Sequence, residues 1–402
     1  MTQKYVYVMT APSSWDKPGI RYRRHQFAKL LKGQQDTDDV VWAYPVSASF
    51  RIPRSFIKAR HELEKNSCKH VNEDGVKECA IPDYLPGRYM QYRFGAGKRW
   101  LDNLKKLLKK SNAKLVLWYT YPNFPYLTTL VDWDIIVYDC SDLWIEPSGG
   151  SRSNAFSSRV AKSLIESAEK KIIENSNIVF ASSDYLAERI ERVSGRQAVT
   201  IENGVDYSYF QKAHSKTENV LENIPGLKLG YVGALRSKID LSLMEELACF
   251  DHNWSIVLIG PNCLNESSYF ERLVQKDNVF WTGEVDPSII PDYIKALDVG
   301  LLPYRDLEYN KAVFPIKFYE YLSQGIPVVG CGLPSTEKYS ENGIYLHVDR
   351  DYFPQACKKV LSWPTGEQDV YVSRRIKLAQ EATWENKLNY ILDKISDSIS
   401  FG

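Results

Sequence analysis

The stretch FPIKFYEYLSQGIPVV, Phe314 to Val329, reads as a short helix set between two strands. Pro315 suits a first helical turn, where an amide hydrogen has no partner. Gly325 suits the left-handed residue that ends a helix, and Pro327 prevents continuation into the strand IPVVG. Because VGLLP lies just upstream, the helix N-terminus follows the carboxyl end of a strand. Its free amides and positive dipole end would make an anion site, and Lys317 in the first turn adds a full charge. Glu320, one turn on, could accept hydrogen bonds from paired hydroxyls such as those of a ribose. The competing reading is a solvated Lys317 and a helix-stabilising Glu320.

Working outward, near-continuous apolar runs alternate with helical stretches. After Asp206 they are LKLGYVG (from Leu227), SIVLIG (Ser255), NVFWTG (Asn278), DVGLLP (Asp298), IPVVG (Ile326) and IYLHV (Ile344). Before it come KYVYVMT (Lys4), VVWAYP (Val40), KLVLWYTY (Lys114), IIVYDC (Ile135), NIVFASS (Asn177) and AVTIEN (Ala198). The longest helix is expected over 154–175, where Val160, Leu164, Ala168 and Ile172 recur on one face. Strands of this kind lie in parallel sheets covered on both faces, and the restart predicts two of them. The expected class is therefore α/β, with two Rossmann-like parallel-sheet domains, 1–208 and 209–383, joined through a polar linker at Gln211–Asn223. A terminal segment, 384–402, contains a last helix from about Trp384 to Ile395. Ligands of such sheets sit beyond the carboxyl ends of the strands, and a cleft between the domains is the expected site.

Other segments at those ends carry chemistry. LGYVGALRSK ends a strand at Gly233, where backbone can approach a phosphate, and Arg236 and Lys238 follow with countercharge. In the first half, KPGIRYRRHQFAKLL puts Gly19 in a strand-to-helix turn with Arg23, Arg24 and His25 behind it. These could grip an anionic acceptor, with His25 as a catalytic candidate, or simply form a basic helix start. VYDCSDLW places Asp139 and Asp142 after another strand, as carboxylates for an acceptor's proton or as local turn residues.

The chain has 402 residues, 44% hydrophobic and 25% charged, with a net charge of +1. Residues 1–200 hold 31 Lys+Arg against 22 Asp+Glu, and residues 201–402 hold 20 against 28. The near-neutral total is thus a cancellation between a basic and an acidic half, which argues against a general nucleic-acid binder. The seven cysteines form an odd, scattered set suited to a reducing compartment, so a cytoplasmic protein is expected. His61, Cys68, His70 and Cys79 lack zinc spacing and read as a polar surface excursion. No apolar run is long enough to span a bilayer.

The ordered motifs YDCSD, IVFASSDYL, IENGVDYSYF, LGYVGAL, SIVLIGP, NVFWTGEV, ALDVGLLPY and FPIKFYEYLSQGIPVV resemble GT-B glycosyltransferases of family 4, and within them the branch containing teichuronic acid glycosyltransferases. The resemblance implies a nucleotide-sugar bound by the C-terminal domain, a C-terminal helix returning to the first domain, and a glycan or lipid-linked acceptor in envelope polysaccharide synthesis. It implies that Gly233, Arg236, Lys238 and Lys317 face the donor diphosphate and that Glu320 binds the ribose. It also implies a retaining, metal-independent reaction without cofactor. Two departures stand out. Ala312 occupies the place of the first glutamate in the family's paired-glutamate signature, leaving Phe314 and nearby backbone as substitutes. Tyr138-Asp139 stands where His-Asp is common. Alternatives are a catalytically silent nucleotide-sugar-binding subunit and a sugar-nucleotide epimerase. Asp132-Trp133-Asp134 spells the metal signature of another glycosyltransferase fold, but it precedes its strand and reads as strand entry.

KRWLDNLKKLLKK, residues 98–110, is a basic amphipathic helix in sequence. It could lie on the anionic inner face of the plasma membrane, or pack its leucines on the first sheet.

Overall fold

The computed structural model describes residues 3–15, 22–47, 54–83, 98–109, 111–146, 155–212, 220–264, 268–363 and 370–400. Two compact units emerge: unit 1 comprises Met1–Glu146, Arg152–Glu202 and Leu388–Gly402, and unit 2 is built on Asn203–Lys387.

Unit 1 contains the strands β1 (Tyr5–Thr10), β2 (Thr37–Val46), β3 (Ser67–Val71), β4 (Lys77–Pro82), β5 (Lys114–Tyr119), β6 (Ile135–Cys140), β7 (Ile178–Ala181) and β8 (Val199–Thr200). They form one sheet in the order β3-β4-β2-β1-β5-β6-β7-β8, and apart from the antiparallel β3–β4 pair every pairing is parallel. Its helices include α1 (Arg23–Gly33), α2 (Arg54–Lys65), α3 (Lys98–Lys109), α4 (Ala155–Asn175) and α5 (Asp184–Ser194). All six residues of β6 are buried, as a strand covered on both faces requires. Asp134 stands at its entry, where its carboxylate accepts from the Leu115 amide at 2.7 Å.

The polar segment expected to be a surface excursion instead supplies β3 and β4. β4 pairs in parallel with β2 over six residues, and three of its central side chains, Cys79, Ala80 and Ile81, are buried. The antiparallel return brings Cys68 and Cys79 together as a disulfide, with Cα atoms 4.4 Å apart. That corrects the expectation of a wholly unpaired cysteine set. Charged and turn letters had masked the strands: even the four consecutive buried positions of β4 begin with a glutamate, Glu78.

Unit 2 contains β9 (Leu227–Val232), β10 (Trp254–Ile259), β11 (Val279–Trp281), β12 (Val299–Pro303), β13 (Val328–Cys331) and β14 (Tyr345–His347), an all-parallel sheet in the order β11-β10-β9-β12-β13-β14. The switch of direction falls between β9 and β12, and the helix Ile316–Ser323 follows β12. Gly325 ends that helix at φ +73°, and a Cβ there would stand 2.9 Å from Val372, so both backbone and packing demand glycine. The wholly buried Arg375 donates to the Gly325 and Gly343 carbonyls, each at 2.7 Å, which places a cation at the helix C-terminus. On the inward face, Tyr321 accepts from the Val232 amide at 3.0 Å. Helix and strand β9 are therefore locked together, and the helix N-terminus is held at the carboxyl edge of the sheet. The final helix spans Trp384–Ser400, longer than expected.

Candidate functional site

In unit 2 the pieces foreseen as a phosphate site converge on one another. Pro315 is the N-cap of the Ile316–Ser323 helix, and no side chain caps it. Lys317, half-buried in the first turn, reaches across to β9, where its Nζ lies 5.4 Å from the centroid of the Tyr231 ring. Gly233 lies beneath it. A Cβ on Gly233 would run into Lys317 Cε and sit 2.7 Å from Nζ, and its φ of +129° is closed to other residues. Among the described residues the Lys317 ammonium makes no hydrogen bond and no ion pair.

Around this ammonium stand the other expected groups. Glu320 is half-buried, and burial pushes its carboxyl above the ordinary range while Lys317 pulls it back down. Arg236 is exposed and close enough to act on the Tyr231 hydroxyl. Lys238 is half-buried, with Nζ 5.8 Å from the Tyr304 ring and 5.3 Å from that of Tyr309. Phe314 departs from expectation. Its ring is only 2% exposed, packed against Phe318, Tyr319 and Tyr339, so as a side chain it is core and cannot replace the missing glutamate. Ala312 is also buried.

Sequence reasoning missed Tyr231 and Tyr304. Both are buried, and burial drives both phenols well above their ordinary range. Their one sequence signal was position: each lies at the carboxyl end of a strand, in LGYVG and GLLPY.

In unit 1 the expected acceptor residues separate. Arg23 Nε donates to both carboxylate oxygens of Asp139, at 3.1 and 3.0 Å, and its Nη1 donates to the carbonyls of Ile201 and Glu202. Both side chains are almost wholly buried, so they neutralise one another instead of facing a ligand. This corrects the assignment of Arg23 to acceptor binding and of Asp139 to catalysis. Arg24 and Asp142, in contrast, are half-buried neighbours. Arg24 lies over the Tyr22 ring at 4.5 Å, and burial lowers its affinity for its proton. Asp142 accepts from the Leu143 amide at 2.8 Å, with the edge-to-face pair Tyr121–Trp144 beside it.

His25 sits among Trp15, Trp42 and Tyr22, with ring centroids 5.0, 4.8 and 6.0 Å away. Burial, reinforced by Arg24 and opposed by Asp74, lowers its pKa to about 3. It is therefore a neutral imidazole near neutral pH and a weak base. Gly19 lies outside the described residues. Tyr138 donates to Glu169 at 2.6 Å, and Arg189 binds the other oxygen of that carboxylate at 2.8 Å. This network is buried and structural.

Residues 226–362, which include β9 to β14 and the Lys317 site, match the family model described as Glycosyl transferases group 1. Over 397 residues the chain is 34% identical to TuaH of Bacillus subtilis strain 168, a protein named for glycosyl transfer in teichuronic acid biosynthesis, with 94% of each chain covered. The chain belongs to this glycosyltransferase family. Its fold is GT-B, and solved structures of that architecture superpose along its length. A cyanobacterial protein, Anabaena Alr3699/HepE, crystallised with UDP, aligns at a TM-score of 0.64 and 12% identity, covering 98% of this chain and all of that one. Sucrose-phosphate synthase (tll1590) from Thermosynechococcus elongatus aligns at 0.68 and 13%, with both chains fully covered. For this glycosyltransferase, the Gly233–Lys317 cradle therefore belongs to the matched family region, whereas Asp139 and Arg23 serve the fold of the other unit.

Proposed function

We propose that this glycosyltransferase binds a nucleoside-diphosphate sugar in unit 2 and transfers the sugar to a glycan or lipid-linked acceptor during synthesis of a cell-envelope polysaccharide. The Lys317 ammonium carries the reading: it is half-buried, without an anionic partner among the described residues, above the side-chain-free backbone of Gly233 and at a helix N-terminus. A site of that kind is unsatisfied until an anion enters it. The crystallised neighbour holding UDP and UDP-glucose supports a nucleotide donor, and the naming of TuaH supports an envelope glycan as product.

The chemistry follows from the charges. As the sugar leaves, negative charge builds up on the departing diphosphate, and Lys317 with Arg236 and Lys238 supplies fixed positive charge there. This set does the work a divalent cation does elsewhere, so transfer is expected to persist in chelator. Glu320 would accept the ribose hydroxyls. On the acceptor side, the half-buried Asp142 beside Arg24 would orient a hydroxyl, whereas Arg23 occupies Asp139. Retention of anomeric configuration rests on the family resemblance and is read from the product by NMR.

Mass-detected transfer, with the donor chosen by a thermal-shift screen of nucleoside diphosphates, tests the assignment. Lys317→Ala and Glu320→Ala should each lower transfer at least tenfold, and wild-type rates in both would overturn it. Among the described residues no helix is long and apolar enough to cross a membrane. Contact with an anionic inner leaflet through α3 is part of the proposal: Leu101, Leu104 and Leu108 pack inward, leaving Lys106 and Lys109 exposed and Lys105 half-exposed. The side chains of 98–100, and residue 110, lie outside the described residues.

A further inference from the structure

Beneath Lys317 lies a pair of tyrosines that a hydrophobic core alone does not explain. Tyr231, in β9, and Tyr304, immediately after β12, are 1% and 2% exposed. Leucine or phenylalanine would fill such space without desolvating a hydroxyl, which costs free energy unless the hydrogen bond is good. Here Tyr231 donates its single proton to the Ala234 carbonyl across 3.3 Å. That bond ties the Tyr231 hydroxyl to Ala234, the residue directly after Gly233. The same Tyr231 ring presents its face to Lys317 Nζ at 5.4 Å, inside the range of a cation–π contact.

We propose that Tyr231 is a positioning residue for the donor diphosphate: its ring seats the Lys317 ammonium above Gly233, and its hydroxyl holds the Gly233–Ala234 loop against the sheet. This rests on the reading of the Lys317 site as the phosphate site. A lysine has four rotatable bonds and loses roughly 2 kcal/mol of rotamer entropy when ordered. An aromatic seat restricts it before the ligand arrives, and unlike a carboxylate it does so without cancelling the charge the phosphates need. Ground-state binding of the phosphates and stabilisation of the departing diphosphate both draw on that preorganisation.

The test compares UDP with uridine on the full-length chain by calorimetry, because the ratio of their affinities isolates the phosphate contacts. Tyr231→Leu should weaken UDP about tenfold and leave uridine unchanged, as expected for loss of a partly desolvated cation–π seat. Tyr231→Phe, which keeps the ring and removes the hydroxyl's bond to Ala234, should weaken UDP about threefold, with the same selectivity for the phosphates. A folded Tyr231→Leu chain with the wild-type UDP-to-uridine ratio overturns the inference. If that variant does not fold, Tyr231→Phe decides: an unchanged ratio overturns the hydroxyl's role and a lowered one supports it. Lys317→Ala separates the two levels. A ratio insensitive to Lys317→Ala, or a wild type that binds none of UDP, GDP and ADP, overturns the phosphate site itself and this inference with it. A ratio that falls in Lys317→Ala and stays unchanged in Tyr231→Leu removes the role of Tyr231 alone.

Discussion

Arg23 and Asp139, 116 positions apart, meet in the interior of unit 1 with Nε at 3.1 and 3.0 Å from the two carboxylate oxygens and Nη2 at 2.9 Å from one of them. The pair fastens the start of α1 to the end of β6, and through Ile201 and Glu202 to the segment after β8. It occupies the place where a catalytic carboxylate was expected.

A buried pair of this sort is costly to break from one side, because the abandoned charge stays desolvated. Asp139→Ala should destabilise the fold by about 3–5 kcal/mol. Urea denaturation measures it. A loss below about 1 kcal/mol, together with a large fall in transfer, would return Asp139 to the catalytic set.

Gly233→Ala should act on binding as well as on the fold. The new methyl must displace Lys317, and the φ of +129° costs a non-glycine residue about 1–3 kcal/mol. UDP affinity is expected to fall at least tenfold while uridine binding persists. Equal loss of both ligands would mean that the loop has collapsed more widely than this contact predicts.

His25 should leave a signature in the pH dependence of stability. Its imidazole is held to about 3 in the folded chain, against 6.5 when free, chiefly by burial. Between those values the unfolded chain binds the proton and the folded one does not. Its contribution is therefore intact above pH 6.5 and is lost as the pH falls through that value, by at most about 1.4 kcal/mol per pH unit. His347 is lowered in the same direction, so the wild-type slope contains both. His25→Gln should flatten the dependence between pH 6.5 and 5; the wild-type slope in that variant would contradict the assigned burial effect.

Replacing Lys105, Lys106 and Lys109 by glutamate tests the membrane contact. Each cation near an anionic surface contributes about 1 kcal/mol, so sedimentation with phosphatidylglycerol vesicles at low salt should drop by two orders of magnitude or more. Undiminished partitioning would place any membrane contact elsewhere.

Much of the fold was legible because helix and strand periods and end signals are local. The 12 strands expected from apolar runs all form, and Gly325 ends its helix with the left-handed backbone foreseen. β3 and β4 were hidden in SCKHVNEDGVKEC, where turn and charged residues outweigh the apolar ones and where pairing with β2, far away in sequence, supplies the missing stabilisation. At the candidate site Gly233, Lys317 and Glu320 could be picked out, since each belongs to a strand end or helix start with its own chemistry.

What the sequence determined by itself, then, was two parallel α/β sheets, the strand ends at which ligands bind, and a surplus of cations at one of them. Tertiary structure alone decided how each of these charges is partnered. Asp139 and Asp142 are similar as letters, yet one is neutralised by an arginine from α1 and the other is left half-buried near Arg24. Lys317 and Arg23 are both cations near strand ends, yet one rests on an aromatic face with no ion pair among the described residues and the other is clasped by a carboxylate. The reason is physical: secondary structure follows from neighbours along the chain, whereas the state of a buried charge depends on groups that only folding brings within a few ångströms.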